Sequence, residues 1–108
     1  MPAGVVSDSG GYVFVADILF YNIRRIDMVT RMVSTVAGGT VGNGIDVDGV
    51  GSAVHINFPS SLAISNGVIL VVENCVAGGC GYLAVRKIGM CGTSRFQYIF
   101  TLINFKNM

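Results

Sequence analysis

The chain has 108 residues, a formal net charge of +1 and only 12% charged residues; this is the length of one ordinary domain with enough apolar content to fill a core, and it excludes a disordered chain. The seven Lys and Arg stand singly or in pairs, as at Arg24-Arg25 and Arg86-Lys87, so the basic footprint of a nucleic-acid binder is missing and no nucleic-acid partner is expected. Fifteen glycines and two prolines punctuate short β-branched and aromatic runs, which predicts an all-β fold.

Pro2 to Asp8 reads as a first strand, closed by the turn Asp8-Ser9-Gly10-Gly11, where glycine supplies the positive φ of a tight hairpin. Tyr12 to Ala16 is a second strand closed by Asp17. A loop through Ile18-Leu19-Phe20-Tyr21-Asn22 leads to a third, Ile23 to Asp27. Three large apolar residues in succession in that loop imply contact with a neighbouring element rather than water. Met28 to Arg31 turns the chain into a fourth strand, Met32 to Ala37, stopped by Gly38-Gly39. Four short strands joined by tight turns make an antiparallel meander, the form of one β-propeller blade.

After a glycine-rich linker, residues 40–58, the pattern restarts at Pro59. Pro59 to Ile64 matches Pro2 to Ser7, Gly67 to Glu73 matches Gly11 to Asp17, and Arg86-Lys87-Ile88 matches Arg24-Arg25-Ile26. The second copy is one residue shorter in its first turn and six longer around Cys75 to Tyr82. Ile99 to Leu102 is its fourth strand, with Asn104-Phe105 where the first copy has Gly38-Gly39. Agreement is strong to residue 89 and fades after it. The chain therefore divides into a first unit (2–39), a linker (40–58) and a second unit (59–105), degenerate after 89.

No membrane segment is expected, because Gln97, Thr101 and Asn104 interrupt the apolar run Phe96 to Phe105, which is far short of the ~18–20 residues that span a bilayer. Met1-Pro2-Ala3-Gly4 lacks a basic region followed by an apolar run, so no signal peptide is expected. Cys75, Cys80 and Cys91 leave at least one thiol unpaired in a lone chain. Cys75 and Cys80 could close their loop in an oxidising compartment, or all three could be free in a reducing one, the reading we favour. Their spacing forms no zinc set, and the one histidine, His55, lies elsewhere.

The linker carries no chemistry that its residues can complete. A phosphate loop needs a lysine that is absent, and a dinucleotide fingerprint fails at Val47. Asp46 and Asp48 resemble the start of a calcium loop, but Val50 and Asn57 stand where further ligands are required, so Asp48-Gly49 is read as a turn. No cofactor and no metal are expected, and no residue is assigned to catalysis. Asp17 with Arg24, and Glu73 with Arg86, recur as carboxylate and guanidinium across the second loop of each unit. A feature repeated in both units is read as structural, each carboxylate accepting turn N–H groups and pairing with its arginine. His55, beside Ile56 and near Phe58, reads as a packing residue. Met28, Met32, Met90 and Met108 read as gap fillers.

Pro2-Ala3-Gly4-Val5, the glycine turn, Tyr12-Val13-Phe14-Val15-Ala16-Asp17 and Ile23-Arg24-Arg25-Ile26 at this spacing resemble the NHL repeat, a blade unit of six-bladed β-propellers. Val33 to Gly39, followed by Asp48-Gly49-Val50-Gly51-Ser52-Ala53 and Phe58-Pro59, is similar to a blade-to-blade connection of that family. The resemblance covers residues 2 to about 89. It departs from the family at Tyr21-Asn22, at Ser61 in place of Gly4 and at Glu73 in place of Asp17. The resemblance implies about two antiparallel four-stranded blades of an NHL-type propeller, a partial ring that needs further blades or self-association, and a fragment of a longer propeller is the favoured reading. It implies an interaction scaffold that meets a protein or small ligand through its loops, without catalysis by this chain alone. The alternatives are a fragment of a propeller enzyme of the lyase or lactone hydrolase type, and a gene remnant without function.

Overall fold

The computed structural model describes residues 1–39, 56–74, 83–90 and 96–104. Its strands are β1 (Pro2–Ser7), β2 (Tyr12–Asp17), β3 (Asn22–Asp27), β4 (Val33–Gly38), β5 (Pro59–Ser65), β6 (Val68–Asn74), β7 (Leu83–Met90) and β8 (Phe96–Asn104). They form two four-stranded antiparallel sheets, ordered β1-β2-β3-β4 and β5-β6-β7-β8. The described residues contain no helix, and so none long and apolar enough to cross a membrane.

The two sheets repeat each other in register. Val13 faces Ile26 in the first and Ile69 faces Ile88 in the second; Arg24 faces Thr35 and Arg86 faces Thr101. Irregularities recur at equivalent places, between Pro2 and Gly4 and between Pro59 and Ser61, then between Ile23 and Arg24 and between Val85 and Arg86. A bulge bends and twists its strand, so its recurrence means the two sheets bend at corresponding points. Sequence agreement fades after residue 89, yet β8 keeps the pairing of β4 as far as Asn104, which faces Ala84 as Gly38 faces Asn22. Backbone pairing tolerates side-chain change that a sequence pattern does not.

The first turns differ by their one residue. Asp8 N–H donates to the Tyr12 carbonyl across Ser9-Gly10-Gly11, with Gly11 at φ 91°. Ser65 pairs with Val68 across Asn66-Gly67, whose φ values of 51° and 75° are both positive, as a type I′ turn requires.

Alternation along the strands gives each sheet two apolar faces. In the first sheet Phe14, Ala16 and Ile23, with Val6 and Tyr12 at the margin, share one face; Val5, Val13, Val15, Arg24 and Ile26 share the other. The first of these faces is covered by the second sheet, which offers Ile69, Val71 and Ile88 with Leu62 and Ile64 beside them. Those five residues correspond to Val13, Val15, Ile26, Val5 and Ser7, the opposite face of the repeat. The stacking is thus unlike face on unlike face. Burying each of these large aliphatic or aromatic side chains contributes about 1.5–3 kcal/mol, and this one layer holds the described core.

Gly4 makes the close approach possible. A Cβ there would lie 2.8 Å from the Ser60 carbonyl oxygen and 3.1 Å from the Ser61 Cα. At the end of the linker the chain returns through Ile56 and Asn57, both buried, and Phe58, whose ring meets Tyr21 edge to face at 5.3 Å. Here Gly38 is required, with φ 79° and the Tyr21 carbonyl where its Cβ would stand. Leu19 and Phe20, expected to meet a neighbouring element, are 56% and 67% exposed; no other described part of the chain reaches over that loop. Residues 40–55 and 75–82, which include most of the linker and the six-residue insertion, lie outside the described residues.

Gly38 and Gly67 share nearly the same φ, but no atom lies near the Gly67 Cβ direction. Gly67→Ala should therefore cost about 1–2 kcal/mol of left-handed strain. Gly38→Ala should lose that and about 1–3 kcal/mol more for overlap with Tyr21. Urea unfolding of the two variants measures the difference; equal losses would refute the close approach at Gly38.

Candidate functional site

Each turn of the first sheet is tied by an aspartate at its start. Asp8 Oδ1 accepts N–H bonds from Gly10 and Tyr12 at 2.9 Å each. Asp17 Oδ1 accepts from Leu19 and Phe20 at 3.1 Å each, and Asp27 Oδ1 accepts from Val29 at 2.9 Å and Thr30 at 3.2 Å. The last two loops are one device used twice: the carboxylate binds the N–H groups two and three residues on, and the fourth residue, Tyr21 or Arg31, turns left-handed at φ 55° or 67°. What that device displays is apolar. Leu19 and Phe20 stand at one end of the sheet, and Met28 and Val29 stand at the other, with Val29 86% exposed.

These bonds hold two carboxyls below their ordinary pKa. At Asp17, burial works against ionisation but is outweighed by the hydrogen bond from the Met1 ammonium, at 2.6 Å, and by the Phe20 and Leu19 N–H groups. At Asp27 the N–H bonds from Thr30 and Val29 lower it, against slight burial.

The carboxylate–arginine pairs expected in both units occur in one. Glu73 Oε1 accepts from Arg86 Nη1 at 2.8 Å, and both side chains are 0% exposed in the layer between the sheets. Asp17 instead binds its turn and the Met1 ammonium, while Arg24 Nη1 donates to Thr35 Oγ1 at 3.1 Å. The expectation that Asp17 pairs with Arg24 is corrected. The physical reason is reach: an aspartate is short enough to turn back on its own loop, whereas the extra methylene of Glu73 carries its carboxylate to the arginine.

Where the second sheet has this covered pair, the first has an open cavity of about 280 Å³ lined by Asp17, Phe20, Asn22 and Arg24. Asn22 is only 7% exposed, and its Oδ1 has no hydrogen-bond partner among the described residues. The sequence marked Tyr21-Asn22 only as a departure from the repeat; nothing in it shows that the amide is buried. A carboxylate, a guanidinium, an amide oxygen and a phenyl ring around one opening can bind polar and aromatic groups of a ligand. A wider groove of about 490 Å³ runs between the two hairpin turns, lined by Asp8, Ser9 and Gly10 on one side and Ser65, Asn66 and Gly67 on the other.

No protein-family model matches the sequence, and none of the curated proteins matches it. Asp46, Asp48, His55, Cys75, Cys80 and Cys91 lie outside the described residues. Among the described residues no group of three or more His, Cys, Asp or Glu is placed to hold a metal ion.

Removing one partner of a buried pair leaves the other charge buried with less compensation, so Glu73→Gln and Arg86→Met should each destabilise by up to about 3–5 kcal/mol, and Glu73→Leu with Arg86→Met together should recover part of the loss. Denaturant unfolding of the set decides it; additive losses would show that the pair is not coupled. A second prediction concerns pH. Because the folded-state values of Asp17 and Asp27 are lowered, their contribution is complete above the unfolded value of about 3.9 and is lost as pH falls through the folded values. Stability should drop below about pH 4, and Asp27→Asn should flatten that drop, as acid titration at fixed urea would show.

Proposed function

We propose that this chain forms two blades of an NHL-type β-propeller and serves as an interaction scaffold, engaging a protein partner through its loops rather than transforming a substrate. The stacking carries the reading. Two meanders with the same bulges, laid unlike face on unlike face and closest between β1 and β5, are the arrangement that radial repetition of blades requires. The resemblance to the NHL repeat through residue 89 agrees with it.

The binding surface we assign is the β2–β3 loop. Asp17 fixes this loop, so Leu19 and Phe20 are presented in water without the ordering cost that a loose loop would add on binding. An exposed aromatic beside a cavity with an uncommitted amide oxygen is the kind of anchor that protein interfaces use.

In the source organism, a photoreactive phenylalanine at position 20 should cross-link the chain to a discrete polypeptide other than itself. Leu19→Ser in that background should abolish the product while changing stability by less than about 0.5 kcal/mol. A product made only of copies of this chain, or one formed equally from position 9 at the opposite end of β2, would overturn the assignment.

A further inference from the structure

The sheet faces on which no other described strand is seated are the two kinds that fit each other inside the chain. The open face of the first sheet carries Val5, Val13, Val15, Arg24 and Ile26, and their counterparts Leu62, Ile69, Val71, Arg86 and Ile88 are the face that the first sheet covers. Val5 is 67% exposed there, while Ile69, Val71, Arg86 and Ile88 are all buried. The outer face of the second sheet carries Val68, Leu70 and Val72, counterparts of Tyr12, Phe14 and Ala16, which do the covering. Val72 is 37% exposed where Ala16 is 0%. Each open face thus has, within the same chain, a worked example of what seats on it.

We propose that copies of this chain associate head to tail, the outer face of the second sheet of one copy seating on the open face of the first sheet of the next. A second copy is the occupant because the internal layer already shows that these two face types pack, with an ion pair at the place where the open seat holds Asp17 and Arg24. Contact between unlike faces leaves one face of each kind open after every single contact; it closes as a ring or grows as a filament. The association rests on the internal layer alone. Its closure rests on the propeller reading, under which ~4–8 sheets complete a ring, that is about two to four copies.

At the closest backbone approach the new junction differs from the internal one. Ser61 stands where Gly4 stands, and a Cβ at Gly4 would lie 2.8 Å from the Ser60 carbonyl. The equivalent contact between copies, Ser61 against the carbonyl of Ala3 in the next copy, is overpacked by that side chain. The junction between copies is therefore looser than the layer within one.

The test uses the 108-residue chain in sedimentation velocity across a concentration series, with two blocking variants. Val15→Lys charges the open face of the first sheet and Val72→Lys charges the outer face of the second. Each alone should be monomeric, and a mixture of the two should form one-to-one heterodimers and nothing larger, because each variant keeps the face that the other has lost. Val29→Ser, in the β3–β4 turn, should behave as wild type. Ser61→Gly should lower the concentration of half-association at least about fivefold, the equivalent of relieving about 1 kcal/mol of overpacking. A folded wild-type monomer at all concentrations overturns the proposal. So does dimerisation of either blocked variant alone, which would mean like face on like face, or weaker association of Ser61→Gly. Discrete wild-type assemblies of about two to four copies support both readings. Open-ended growth that both blocking variants stop supports the association and overturns the propeller.

Discussion

Everything described in this chain depends on one layer in which the two sheets meet with unlike faces, and the Glu73–Arg86 pair lies inside it. Burying two charges costs several kcal/mol per ion before their attraction and hydrogen bonds offset it. The surrounding apolar side chains, Phe14, Ile23, Ile69 and Ile88 among them, supply the net stabilisation. The pair's contribution is specificity. Glu73 on β6 and Arg86 on β7 belong to the same sheet, so a slip of β6 against β7 that parted them would leave a charge in a dry layer. The polar pair holds the register of these two strands, and the apolar side chains hold the sheets together.

The same position does different work in the two repeats, and one methylene separates them. Asp17 caps its own loop, and that loop then presents Leu19 and Phe20 to water; Glu73 reaches Arg86. Repetition of the backbone with substitution at its turn residue yields one sheet built to be covered and another whose end is left to make contacts. Gly4 and Ser61 show the same economy on the other face. The glycine sits where the sheets come closest, against the backbone of Ser60 and Ser61, and the Ser61 side chain is exposed on the outer face of its own sheet.

Strand positions were legible because the chain writes them twice, with a glycine turn opening the second strand and a carboxylate, Asp17 or Glu73, closing it, and the positive φ at Gly11 and Gly67 is where the turn chemistry placed it. The stacking was not legible. Tyr12, Phe14 and Ala16 alternate with Val13 and Val15, so both faces are apolar and alternation cannot say which is covered. Nor could spacing distinguish Asp17 from Glu73, since the carboxylates occupy equivalent positions and only the covered layer and the reach of the side chain decide their partners. The exposure of Leu19 and Phe20 went against expectation for a related reason. Three apolar residues in a loop signal contact, and the contact they signal does not lie among the described residues.

A stack of repeats gains stability from its interfaces as well as from the repeats themselves. Among the described residues two sheets share one layer, so each has one face covered by the other sheet and one on which no described strand is seated. Adding a sheet to either end adds a layer but leaves the open faces as many as before. Closing the stack on itself is the only step that covers every face, and it does so without ordering any new chain. The open faces here are shaped by the same alternation, bulges and arginine placement as the covered ones. Their apolar residues would be a solubility liability if water were their permanent environment, and a sheet face that repeats the pattern of a buried one is best explained as a face that is also buried when the molecule works.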